Sequence, residues 1–206
     1  VDKPGAVQSV LLVGRVGPGW GDEDHHAVDV MNTLLGGSFT SRLNDNLREQ
    51  NGYTYGARSA PRRFGAAGLY ALTSTAVQTD KTAPAIREVY RELGRIRSPA
   101  AAQEVTRARN YTALGFAASF ETTGQVAQRI VEQVVYDLPA DFFAQYVPDT
   151  LAVDARAVQA AAEKHVVPEA SVLVVVGDRG RVGDTLAALD VGEVEYRSIS
   201  DVMGPP

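Results

Sequence analysis

The strand-sized apolar runs of this 206-residue chain fall in blocks instead of alternating with helical stretches, and that order constrains the fold more than any other feature. Val7 to Val16 is rich in β-branched and apolar residues and closes on the breaker Gly17-Pro18-Gly19. Asp22-Glu23-Asp24 suits the positive end of a helix dipole, and Ala27, Val30, Met31, Leu34 and Leu35 come next at helical spacing up to Gly36-Gly37. A second helix, capped by Ser38, Thr40 or Ser41, is expected to run to Gln50 and end at Asn51-Gly52. From Tyr53 the pattern alternates as a strand, with Tyr53, Tyr55, Ala57 and Ser59 on one face. Pro61 to Gly65 reads as a turn and Gly68 to Val77 as the second arm of a hairpin.

Helices dominate the rest of the chain. One starts near Asp80 with Pro84 in its first turn; Ile86, Val89, Tyr90, Leu93 and Ile96 form its core stripe, and Arg87, Arg91 and Arg95 a solvated one. Ser98-Pro99 is expected to open the next, toward Phe120, and Thr122 or Thr123 to cap another carrying Val126, Ile130, Val131, Val134 and Val135. Pro139 to Tyr146 reads as a short helix and Asp154 as the cap of one ending near His165. Ala170 to Asp178 then reads as a buried strand and Val194 to Arg197 as a short edge strand. The order βααββαααα(α)β predicts an α+β fold, a largely antiparallel sheet covered by helices, rather than a doubly wound parallel sheet. With no repeat or linker, residues 1–206 are expected to form one domain, fraying at Val1–Gly5 and Asp201–Pro206.

Composition removes several functions. There is no cysteine, hence no disulfide, thiolate metal site or Cys nucleophile, and the compartment stays open between a bacterial cytoplasm and a periplasm. The net charge is −5, and the 17 arginines and three lysines form no basic run, which argues against nucleic acid. The longest apolar run, Ala170 to Gly177, is far short of the ~18–20 residues of a membrane span. His25-His26 beside Asp22, Glu23, Asp24 and Asp29 offers only the pair His25 and Asp29 at i,i+4, and no H-x-x-x-H or H-x-x-E-H is present, so no metal site is expected. That segment reads as an acidic helix start with exposed imidazoles. There is no G-x-S-x-G, and His165 has no partner visible in the sequence. Gly177, Gly180 and Gly183 do not have dinucleotide-loop spacing.

One segment is more specific. Leu34 to Ser59, LLGGSFTSRLNDNLREQNGYTYGARS, resembles the hallmark stretch of the C-terminal domain in the pitrilysin, insulysin and mitochondrial-processing-peptidase family of zinc proteases. The matching elements are a helix ending in Leu35-Gly36-Gly37, a small-residue turn, Ser41-Arg42-Leu43 opening the next helix, then Leu47-Arg48-Glu49, Gly52 and Tyr55. Pro4 to Gly14 also looks like that domain's first strand. Family members pair two homologous halves, of which one carries H-x-x-E-H. The resemblance therefore implies a zinc-free half without catalytic residues or metal ligands of its own, with zinc in a partner half on the same chain or another subunit. It implies a peptide or unfolded polypeptide as substrate.

In the family the second half contributes an arginine and a tyrosine seven residues apart that face the bound peptide, and the matching positions are Arg48 and Tyr55. With Arg48 in a helix's last turn, Gly52 reversing the chain and Tyr55 on the next strand, both donors can converge on a peptide carbonyl. The alternative is structural: Arg48 as a helix C-terminal charge and Tyr55 as a core aromatic. Tyr53 is expected to pack, and Arg42 and Glu49 to hold helix ends. For the whole chain, two rivals to a peptidase half stand: a scaffold subunit of the same fold, as in respiratory complexes, and a small-molecule regulatory domain with a pocket lined by Gly-rich loops.

Overall fold

The computed structural model describes residues 1–204, so the expected fraying of Pro205 and Pro206 lies outside the described residues. Four strands form one antiparallel sheet in the order β2-β3-β1-β4: β1 (Gln8–Pro18), β2 (Ala57–Arg63), β3 (Ala67–Gln78) and β4 (Val172–Val176). Helices α1 (His25–Asn32) and α2 (Arg42–Asn44) lie between β1 and β2, each continuing into a wider π turn, Thr33–Gly37 and Asp45–Gln50. After β3 come α3 (Thr82–Arg95), α4 (Ala102–Ala117), α5 (Thr123–Val135), α6 (Phe142–Ala152) and α7 (Ala155–His165), and after β4 come α8 (Arg179–Ala187) and α9 (Ile199–Met203). Up to β4 this is the expected order.

Alternation along β1 divides the sheet into two faces. Leu11 and Val13, with Tyr70, Leu72 and Val77 of β3, point to the core and are buried with Val28, Met31 and Leu35 of the first helical segment, Leu43 and Leu47 of the second, and Ile86, Val89 and Leu93 of α3. On the other face Val10, Val16, Leu69, Val172 and Val174 remain exposed. Tyr70 is fully buried, and burial pushes its phenol far above the usual range; its hydroxyl donates to Asn32 Oδ1 at 3.2 Å.

Several expectations fail for reasons of long-range partnership. Pro61 is not in a turn but within β2, an edge strand, where a missing N–H can face outward without costing a ladder bond. β4 is not a fully buried strand: it pairs with β1 on one side only, and Val172 and Val174 lie on the open face. Val194–Arg197 forms no strand, because the rim beside Gly177 is taken by the chain's own first residues. Gly177 N–H donates to Val1 O at 3.2 Å and Lys3 N–H to Gly177 O at 2.7 Å, so Val1–Lys3 is tied down instead of frayed.

Helix boundaries match the local signals at some ends and not at others. Arg97 and Ser98 wind down α3 through bonds to Gly94 O and Arg95 O, so α4 begins at Ala102 rather than at Ser98-Pro99. Gly180 and Gly183 lie in α8, which packs on α3 and buries Val182. Residues Thr122 and Asp154 do cap α5 and α7: Thr122 Oγ1 accepts from Gln125 N–H at 3.2 Å, and Asp154 Oδ1 from Ala157 N–H at 2.8 Å. Yet the α5 stripe of Val126, Ile130, Val131, Val134 and Val135 is exposed.

Candidate functional site

The Leu34–Ser59 segment is assembled around one close backbone approach and one buried amide side chain. Gly36 sits where a Cβ would meet Ser59 N at 2.5 Å, so only glycine lets the first π turn lie against β2. Asn44, buried on α2, donates to Ser38 O at 3.1 Å and Ser41 Oγ at 3.2 Å, and its Oδ1 accepts Ala57 N–H at 2.9 Å. One side chain thus fixes both the 38–41 turn and the first residue of β2. Arg42 forks onto Glu104 with two 2.7 Å bonds and donates to Arg95 O at 3.2 Å, joining α2 to α4 and the end of α3, the expected holding role. The Arg42 hydrogen bond holds the Glu104 carboxyl below its usual range despite partial burial.

Arg48 lies in the second π turn, as the helix reading required. Its guanidinium carbon is 4.4 Å from the Phe39 ring centroid, and Nη1 is buried with no hydrogen-bond partner. Glu49 Oε1 lies 3.4 Å from that nitrogen, an ion pair without hydrogen-bond geometry, and the exposed Glu49 holds no helix end. Gly52, at φ +64°, reverses the chain while Gly52 N–H bonds Arg48 O at 3.1 Å and Tyr53 N–H bonds Leu47 O at 2.8 Å.

Tyr55 is not on the strand. Thr54 Oγ1 accepts Gly56 N–H at 3.1 Å, and Thr75 Oγ1 lies 2.9 Å from both Thr54 Oγ1 and Gly56 O, so the chain bends and pairing with β3 starts only at Ala57. Tyr55 is therefore 92% exposed, with no hydrogen bond among the described residues, and does not share a face with Tyr53, which packs on the core. Arg48 and Tyr55 both stand on the α2–β2 connection, Tyr55 open to solvent and Arg48 half-buried with its Nη1 covered. Phe39 was missed by sequence reasoning; its signal was an aromatic, 67% exposed here, inside a turn of small residues.

The histidine pair takes a different role from the expected exposed one. The His25 and His26 rings lie 3.9 Å apart, His25 stacks on Phe142, and His26 Nδ1 meets Thr150 Oγ1 at 3.1 Å. Asp29 is committed elsewhere, accepting from Arg63 and from the Tyr146 hydroxyl at 2.8 Å each, so it makes no ligand pair with His25. Among the described residues no group of three or more His, Cys, Asp or Glu could hold a metal ion. His165 pairs through Nε2 with Asp24 Oδ2 at 2.9 Å. One cavity of about 270 Å³ beside α1 is walled by Trp20, Phe116, Phe142 and Phe143, and another of about 170 Å³ lies between the first π turn and α4, beside Ser38, Thr40 and Tyr111. No helix among the described residues is long and apolar enough to cross a membrane.

A family model described as the peptidase M16 inactive domain matches residues 1–112, over half the chain. Among solved structures, the chain is similar to a peptidase M16 inactive domain from Pseudomonas fluorescens, at 22% identity and TM-score 0.78 over 86% of this chain and 42% of that one. It is similar to a protease from Helicobacter pylori at 16% identity and TM-score 0.74, over 85% of this chain and 43% of that one. A chain of complex III2 from Candida albicans, Inz-5 bound, matches at 12% identity and TM-score 0.78, over 93% of this chain and 48% of that one. At these identities the likeness is one of fold, and the chain spans less than half the length of each. No curated protein matches the sequence.

Proposed function

The chain belongs to the family of the peptidase M16 inactive domain, and from that premise we propose that it is the substrate-holding half of a zinc metallopeptidase. It holds an extended peptide against a homologous half that carries H-x-x-E-H, the zinc and the general base. The observation that carries this reading is the pair of donors on one connection anchored by Asn44: a half-buried guanidinium that makes no hydrogen bond among the described residues, and a phenol open to solvent. Arg48 and Tyr55 donate to a peptide carbonyl oxygen. They speed hydrolysis only as far as they hold the developing oxyanion more tightly than the ground-state carbonyl. The apolar open face of the sheet and the uncovered α5 stripe support a partner surface that covers them.

The test uses the chain joined to its H-x-x-E-H half. Arg48→Ala and Tyr55→Phe are each expected to raise the barrier to peptide hydrolysis by on the order of 2–4 kcal/mol with zinc content unchanged. Unaltered turnover in both variants returns the residues to a structural role. Zinc-dependent hydrolysis by these 206 residues alone overturns the division of labour.

A second reading, a non-catalytic scaffold subunit, draws support from the likeness to a complex III2 chain. Absence of H-x-x-E-H from both the remainder of the polypeptide and any stably associated subunit favours it.

A further inference from the structure

We infer that Phe39 is a positioning residue for Arg48: its ring fixes the guanidinium in the orientation from which it reaches a bound peptide. This rests on the proposed substrate-holding role of Arg48. Arg48 is a long side chain at the end of a wide turn, and its one acidic neighbour, Glu49, does not hold it by a hydrogen bond. The flat contact within reach is the Phe39 ring, 4.4 Å from the guanidinium carbon. An aromatic exposed to water on a turn needs a reason to hold still, and the turn itself supplies one. Gly36 is pressed against Ser59, Ser38 O receives a bond from Asn44, and Ser41 Oγ receives another. The same Asn44 sets the start of β2, so ring, guanidinium and the loop bearing Tyr55 share one anchor.

With the guanidinium seated over the ring, Nη1 is covered while Nε and Nη2 stay uncommitted to any partner among the described residues, and the contact removes rotamer freedom that would otherwise be lost on binding peptide. A ring contact of this exposed kind corresponds to about a two- to fivefold effect on affinity or rate. Phe39 needs no contact with substrate to produce it.

The experiment has two arms. In this chain, 1H–15N spectra of arginine side chains should show the Arg48 Nε–H resonance shifted by the Phe39 ring current, moving on Phe39→Leu and staying near its place in Phe39→Tyr. An Arg48 resonance indifferent to Phe39→Leu overturns the inference. With the zinc-bearing half present, Phe39→Leu should lower kcat/KM for peptide about two- to fivefold, Phe39→Tyr should restore it, and Phe39→Leu should add nothing in an Arg48→Ala background. Additive losses mean that Phe39 acts independently of Arg48, which also overturns the inference. An impaired Arg48→Ala beside a silent Phe39→Leu sinks this inference alone, whereas a silent Arg48→Ala sinks the substrate-holding reading beneath it.

Discussion

His26 is held neutral by its surroundings. Burial is the main cause, the neighbouring His25 adds to it, and together they push the imidazole from 6.5 down to about 4, against the pull of Asp29 and Asp149 and with Arg63 assisting. His25 is lowered too, again chiefly by burial. Between pH ~6.5 and ~4 the unfolded chain therefore binds more protons than the folded one, so stability is complete above this window and falls as the pH drops through it. Thermal unfolding followed by circular dichroism should show a falling Tm across this range, and His26→Gln should flatten the slope without abolishing it. Below it the carboxylates take over: Asp24, where burial is the largest single effect but is outweighed by the His165 and Lys164 hydrogen bonds and charges together, and Glu104, lowered by its Arg42 hydrogen bond, both have depressed folded values, so their contributions are lost at still lower pH.

At the scale of elements, α3 does more than cover the sheet. Its Glu92 is fully buried and accepts from Asn46 Nδ2 at 2.7 Å and Arg95 Nη1 at 2.8 Å, while Asn46 also donates to Glu88 and receives Asn51. This ties α3 to the π turn that carries Arg48. Glu92→Ala should cost about 1–3 kcal/mol in urea unfolding because it takes an acceptor from the buried Asn46 amide and empties a filled site, and Glu92→Gln should cost less. The arginine stripe of α3 was legible as solvated, and Arg87, Arg91 and Arg95 are exposed, but the sequence carries no mark of the buried carboxylate beneath Arg91 and Arg95. The same contrast runs through the molecule. Helices with local signatures, such as the Thr122–Gln125 capping box and the Asp154 cap, could be read directly. The bend at Tyr55 depends on Thr75, and the rim beside β4 on Val1–Lys3, and such distant partners leave no periodicity to read. In the proposed site, Arg48 and Tyr55 belong to an ordered motif visible in the sequence, whereas the contact of Phe39 with Arg48 is visible only in the geometry.

The whole molecule presents apolar surface on two sides, the open sheet face and the α5 stripe, with Val16 at 75% and Val172 at 66% exposure. Soluble monomers rarely leave such patches uncovered. The isolated chain is expected to associate in a concentration-dependent way in sedimentation velocity, and Val16→Lys with Val172→Lys to return it toward monomer with little change in Tm. A chain that stays monomeric at high concentration would argue against an open interface. The adjacency of β1 and β4 has a further consequence, in time instead of space. Their pairing joins Val10–Gly14 to Val172–Val176, so during synthesis the second edge of β1 stays unsatisfied until β4 and everything between the two strands has emerged. The three strands β2, β3 and β1 and the helices between them can form first, and the step that seals the sheet comes last. Until then an apolar strand edge is open to the wrong partner, which makes the interval before β4 arrives the period of greatest aggregation risk.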